Sequence, residues 1–271
     1  MREAARALGD LHDALERAEI YATRPMRDTR EPGRGRKQRA ENRLERILLR
    51  HWRRQARRIR ARLKEIGRMA GRFEADPLAR LADDDALYDD EKFIAELTLL
   101  LTKAAQEGVS LFGDNVSIGL DYTLTNVEAA AWAQQYAGEL AGQLDTQTRE
   151  AVRSAVTAFI ETPGMSLGDV MDLLPLDEVR AARVSITEIT RAYAQGNQVA
   201  GEQLAQDFPG VRVLKTWHTS NDEYVCEICE PLNGESVNVE NLFPSRVIGA
   251  VENPPAHVNC RCWTMVTTEI E

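Results

Sequence analysis

Pro209-Gly210-Val211-Arg212-Val213-Leu214-Lys215-Thr216-Trp217 is the stretch where the chain changes character. Before it, apolar residues recur every three or four positions. Within it, Val211, Val213, Lys215 and Trp217 fall on one side of an extended chain, the first clear two-residue alternation in the sequence. Pro209-Gly210 punctuates the change. A second strand is predicted from Cys260 to Val266, where Cys260, Cys262, Thr264 and Val266 share one face. The pattern reads as an α+β protein, mainly α with a small C-terminal β-containing module that starts near residue 209.

Working back from that point, the chain is helical. Asp177 to about Gln206 carries Val179, Ala182, Ile186, Ile189, Tyr193 and Val199 at helical spacing, and Ser166-Leu167-Gly168-Asp169 begins a short helix that ends near Leu174-Pro175. Thr125-Asn126-Val127-Glu128 fits a capping box before a helix containing Trp132, Tyr136 and Leu140. Asp145 or Thr146 then caps a further helix that Pro163-Gly164 ends. The acidic run of residues 83–91 lacks the Gly and Glu of a calcium loop, since Tyr88 and Ile94 stand at those positions. It is better placed at the N-terminus of a helix beginning near Asp90, where the helix dipole favours negative charge.

From about Ala40 to Phe73 one stripe runs through Leu44, Ile47, Leu48, Trp52, Ala56, Ile59, Leu63, Ile66, Met69 and Phe73. It predicts a helix spanning roughly 50 Å, with arginines over much of its remaining surface. Residues 24–37 combine proline, glycine and positive charge and read as a basic linker with no apolar face to bury. Leu8, Leu11, Leu15 and Ala18 predict a short helix before it. The resulting division is 1–37, 38–75, 76–208 and 209–271.

The net charge of -9 hides an asymmetry: residues 23–72 hold 19 Lys and Arg against 5 Asp and Glu, and the rest of the 271-residue chain holds 15 against 38. Such a segment reads as an interaction arm. Met1-Arg2-Glu3-Ala4 opens no apolar signal core, and Phe93 to Ala105, the most hydrophobic stretch, is interrupted by Glu96 and Lys103. The expectation is synthesis in a reducing cytoplasm and no membrane partner.

All four cysteines fall within residues 226–262. Cys226-Glu227-Ile228-Cys229 is followed by the turn Leu232-Asn233-Gly234, and then by His257-Val258-Asn259-Cys260-Arg261-Cys262. A C-x-x-C pair bends the chain so that two thiolates reach one cation. The distal run offers three donors for the two remaining tetrahedral positions. Cys226, Cys229, His257 and Cys260 are the preferred zinc ligands, with Cys262 as substitute. Disulfides and merely buried thiols are the competing readings. A site closed by four protein donors is structural, because catalytic zinc keeps an open position.

The string Lys215-Thr216-Trp217-His218-Thr219, Asp222, Val225-Cys226-Glu227-Ile228-Cys229, Leu232-Asn233-Gly234 and Pro254-Pro255-Ala256-His257-Val258-Asn259-Cys260-Arg261-Cys262 resembles the C-terminal module of the bacteriophage Mu protein F-like head-morphogenesis family, also called minor capsid or minor head proteins. Upstream, Arg183 to Tyr193 resembles the Arg-rich Thr-Glu helix that precedes that module. The resemblance covers about residues 120–267 and leaves the basic N-terminal third unaccounted for. It implies a virion component at the portal vertex or head interior, assembled in the host cytoplasm, with the portal or major capsid protein as partner. It implies no reaction and no small-molecule substrate.

Other residue groups carry less. Glu188 and Arg191 sit three apart and read as a structural ion pair. His218 reads as a packing residue, and His12 and His51 carry no signal. The alternative function is a zinc-supported DNA-processing nuclease, suggested by His257 and Asn259 among cysteines, but such a site needs a histidine free of the cluster to activate water. No H-E-x-x-H of a zinc protease occurs. In the basic helix, Arg50, Arg53, Arg54, Arg57 and Arg58 are candidates to neutralise phosphates of packaged double-stranded DNA. Trp52, Ile59 and Leu63 are candidates to bury the apolar stripe on a partner protein, and this stripe is the expected primary anchor. A helix of the chain's own core with a solvated charged face is the third reading.

Overall fold

A computed structural model describes residues 30–70, 78, 80–88, 90–116 and 122–270. The predicted helix of residues 1–20 and the stripe residue Phe73 lie outside them. The first described helix, α1, spans Arg34–Ala70. It therefore begins inside the expected linker. Gly33, at a φ of 67° that glycine tolerates, turns the chain into the helix, and its carbonyl accepts from the Arg36 and Lys37 amides at 2.8 and 3.0 Å. Lys37 and Glu31 form a buried ion pair, a partnering that linker composition does not reveal.

The stripe of α1 is occupied within the chain. Leu44, Ile47, Leu48 and Trp52 pack in one core cluster with Phe93, Leu97, Leu101, Ala137, Leu140 and Ile189. Ile59, Leu63 and Ile66 pack in a second with Leu81, Val152, Val156, Val170 and Leu174. This corrects the expectation that Trp52, Ile59 and Leu63 anchor a partner: they are 0–1% exposed, so docking through them would require opening the core. The outward face carries Arg39, Arg43, Arg46, Arg50, Arg53, Arg57, Arg60 and Lys64, all exposed, in steps alternating four and three.

Helix α2, Glu91–Asn115, is capped by Asp90, whose side chain accepts from the Phe93 amide at 3.1 Å. The helix start near Asp90 is thus as predicted. The acids before it serve another element: Asp83 and Asp85 receive Arg153 and Arg149 at 3.0 and 2.7 Å. Those arginines lie on α3, Tyr122–Glu161, which is one helix of 40 residues where two were expected. Thr125 is fully buried within it, Thr146 donates back to the Gly142 carbonyl at 2.8 Å, and Asp145 accepts from Gln55 at 2.9 Å. Of these cap-like residues, Thr146 is satisfied by the carbonyl four residues back in its own helix, and Asp145 by Gln55 of α1, a contact that only packing supplies. The predicted stop at Pro163-Gly164 holds, as does the helix start at Ser166, which the structure closes with a Ser166–Asp169 capping box on the short α4, Leu167–Asp172. Asp177 then caps α5, Glu178–Asp207.

Helices α2 and α5 approach unusually closely. A Cβ on Gly108 would lie 2.3 Å from the Tyr193 carbonyl oxygen, and one on Gly196 would lie 1.9 Å from that of Ala105. The resulting platform receives the sheet. β1 (Val211–His218) lies between β2 (Ser236–Asn238) and β5 (Trp263–Ile270), all antiparallel, and β3 (Phe243–Ser245) pairs with β4 (Gly249–Val251) as a hairpin. Val213, Val239 and Val266 pack on Ala105, Val109, Phe112, Ala200 and Leu204. The predicted alternation of β1 is present, with Val213, Lys215 and Trp217 buried. The second strand begins three residues later than expected. Its last partner on β1 is His218, opposite Trp263, so Cys260 and Cys262 precede it in a loop turned by Asn259 at φ 65°.

Candidate metal centre

Each half of the centre is a turn. After Cys226 the chain folds back, with the Cys229 and Glu230 amides donating to the Cys226 carbonyl at 3.0 and 2.9 Å. A single 3₁₀ turn, Glu230–Leu232, leads to Gly234 at φ 85°, whose amide donates to the Trp217 carbonyl and returns the chain beside β1. The second half turns at His257, whose carbonyl accepts from the Cys260 amide at 3.2 Å. The Asn259 amide donates to Thr187 Oγ1 at 2.8 Å, which ties this loop to α5.

All five predicted donors line one small cleft. His257 Nε2 lies 3.0 Å from Cys226 Sγ and 3.2 Å from Cys229 Sγ, and Cys229 Sγ lies 3.8 Å from Cys260 Sγ. Donor atoms form two triads that share Cys229: Cys226, Cys229 and His257, and Cys229, Cys260 and Cys262. Sulfurs bound to one tetrahedral zinc at about 2.3 Å stand about 3.8 Å apart, so the Cys229–Cys260 spacing fits such a site. The shared position of Cys229 leaves Cys260 and Cys262 both beside it.

The electrostatics also suit a cation. Hydrogen bonds with Cys229 and Cys262 hold the Cys260 thiol well below the ordinary thiol range, and the bond to Cys260 pushes Cys229 up. His257 Nδ1 sits 2.8 Å from the Val258 carbonyl, which fixes that nitrogen as the donor and turns the Nε2 lone pair toward the thiols. With both ring nitrogens engaged, His257 is not the free general base that the nuclease reading requires.

Around the donors lies a polar shell whose partners are far apart in the sequence, so spacing does not reveal it. Arg261 and Asp222 form a two-bond pair at 2.6 and 2.8 Å, joining the loop before Cys226 to the loop that carries Cys260 and Cys262. Lys215 is buried and donates to Gln198 Oε1 at 3.0 Å and to the Glu252 carbonyl at 2.9 Å. Burial pushes its pKa down, against the pull of Glu252 and Glu202. Asn253 joins the same Gln198 oxygen at 3.1 Å, so one residue of α5 orients the strand and the loop leading to His257. His218 stacks on Trp263 at 4.2 Å, in keeping with its packing role. Glu188 pairs with Arg191 at 3.2 Å, as the spacing predicted, and also accepts from Tyr136 at 2.7 Å.

The basic candidates are placed differently. Arg54 binds Asp90 at 2.7 Å and Arg58 is half-buried, whereas Arg50, Arg53 and Arg57 stand exposed in the outward row, with Arg50 reaching Glu96 at 3.4 Å. His51, read as silent, is 1% exposed, stacks on Phe93 at 3.8 Å and meets Asp90 Oδ2 at 3.0 Å. Its position on the Leu48–Trp52–Ile59 face was the available signal. No described helix is long and apolar enough to cross a membrane.

Neither a curated protein nor a solved structure matches the chain. A sequence family described as Phage Mu protein F like protein matches residues 133–265, from within α3 through the last cysteine. The Cys/His centre and the helices that carry it, residues 133–265, belong to the phage Mu protein F-like family.

Proposed function

We propose that the chain is a phage head-morphogenesis protein, a minor capsid component with no reaction of its own, whose C-terminal module is held by one structural zinc ion. Cys226 and Cys229 hold the ion from the first turn, and His257 and Cys260 hold it from the second, with Cys262 as substitute. Bound zinc supplies a cross-link between two loops that otherwise meet through the small Trp217–Leu232–Phe243 cluster. The observation that carries this reading is the convergence of five donors on one cleft, inside the span that matches the family. The proposed place is the portal vertex or head interior, after assembly in the host cytoplasm, and the proposed protein partner is the portal or major capsid protein.

Elemental analysis of protein purified without chelator tests the metal: about one zinc per chain is expected. Absence of metal together with fewer than four free thiols would replace zinc by disulfides. Cys226→Ser or Cys229→Ser should expose residues 211–270 to protease while the helical signal persists. Mass spectrometry of purified particles tests the place. A chain found only in the lysate and never in heads refutes the assembly role, and nicking of plasmid with Mg²⁺ or Mn²⁺ refutes the non-enzymatic one.

A further inference from the structure

The outward face of α1 lies beyond residues 133–265, and no part of the metal centre explains it. From Arg39 to Lys64 the row of basic side chains is unbroken, and it extends about 37 Å along the helix axis. Arg54 and Arg62, on the flanks of the row, are taken up by Asp90 and Asp84. Among the described residues, Arg39, Arg43, Arg46, Arg53, Arg57 and Arg60 have no carboxylate within ion-pair distance. Glu65 is the single exposed acid among the described side chains of α1. None of the exposed large apolar residues of the described chain lies on this helix.

These absences select the partner. Protein interfaces seat their arginines around desolvated aromatic and apolar anchors, and the row offers no such anchor. Insertion into a lipid surface needs the apolar face of the helix, which is buried in the core. Binding of single strands relies on aromatic stacking platforms, again missing from the row. What remains is a line of positive charge, which neutralises phosphates whatever the base sequence. A DNA duplex presents one negative charge per about 1.7 Å of its axis, and one helical turn of about 34–36 Å is close to the length of the row.

We propose that the Arg39–Lys64 row docks on the phosphate backbone of double-stranded DNA without sequence preference. The overall charge of -9 does not oppose this, because screening confines attraction and repulsion to within about 10 Å of each surface.

The test uses the full chain and a mixed-sequence duplex, with affinity followed by fluorescence anisotropy from about 50 to about 200 mM salt. Log affinity should fall linearly with log salt. The triple change Arg46→Gln, Arg53→Gln and Arg57→Gln should reduce that slope by about 2.7 and weaken low-salt binding at least about tenfold, at unchanged circular dichroism. Glutamine suits the exposed helix because its helix propensity is close to that of arginine. The charge-matched control, Lys92→Gln, Arg212→Gln and Arg246→Gln, lies off the row and should leave the slope intact. The proposal falls if the control weakens binding equally, if the duplex is not bound at low salt, or if single strands bind more tightly. It also falls if polyglutamate of equal charge displaces the duplex at equal concentration, since that would mark a site for acidic protein.

Discussion

Asp90 shows how much one side chain can decide. It caps α2, receives Arg54 at 2.7 Å and faces His51 Nδ1 at 3.0 Å, with its side chain 6% exposed. Burial pushes its carboxyl up, yet the hydrogen bonds from His51, Arg54 and the Phe93 amide outweigh burial and leave it below the ordinary carboxylate value. A carboxyl depressed in the folded state stabilises above its unfolded value, and that contribution is lost as pH falls through the folded value. Asp90→Asn keeps a capping oxygen and loses the charge. It should cost about 1–3 kcal/mol at neutral pH and make the acid limb of the stability curve shallower below about pH 4. Urea denaturation at several pH values measures both, and an acid limb as steep as wild type would deny Asp90 this role. Near the Cys/His cluster, Asp222→Ala removes the two-bond partner of the buried Arg261 guanidinium and should cost about 1–3 kcal/mol, read from the thermal midpoint.

Among elements, the α2–α5 crossing sets the frame on which the sheet is built. Gly196→Ala places a methyl against the Ala105 carbonyl and should cost about 3 kcal/mol or more, since backbone atoms cannot step aside as a flexible side chain would. Gly142→Ala, on an exposed turn of α3 with nothing within 4 Å, should do the opposite and stabilise by about 0.5–1 kcal/mol. Thermal melts of the two variants should move in opposite directions; two destabilised proteins would contradict the packing described. Trp52→Ala removes a 1%-exposed side chain from the core and should cost about 3–5 kcal/mol, so its effect on any partner will follow from unfolding.

Over the whole molecule, the helical body and the sheet are joined by the Val213–Val239–Val266 cluster, by Gln198 and by the Thr187–Asn259 hydrogen bond. Chelation should therefore loosen the two donor turns first. Limited proteolysis with a chelator present should cut between residues 218 and 263 while residues 91–207 persist as a fragment. Simultaneous loss of both regions would mean that the proposed metal staple supports the entire fold. The sequence alone determined what local chemistry controls: the switch of period at Pro209-Gly210, the Ser166 and Asp177 helix starts, the C-x-x-C turn and the gathering of Cys and His donors near the end. Each depends on residues a few positions apart, where spacing and backbone preference act directly. Tertiary structure decided whether Thr125 and Asp145 cap helices or lie within one, where β5 begins, and that Trp52, Ile59 and Leu63 face inward. An amphipathic stripe reads the same whether its cover is another chain or its own, and here α2, α3 and α5 supply that cover from far along the sequence. Burying the stripe within the chain leaves the row of arginines as the face that α1 offers outward.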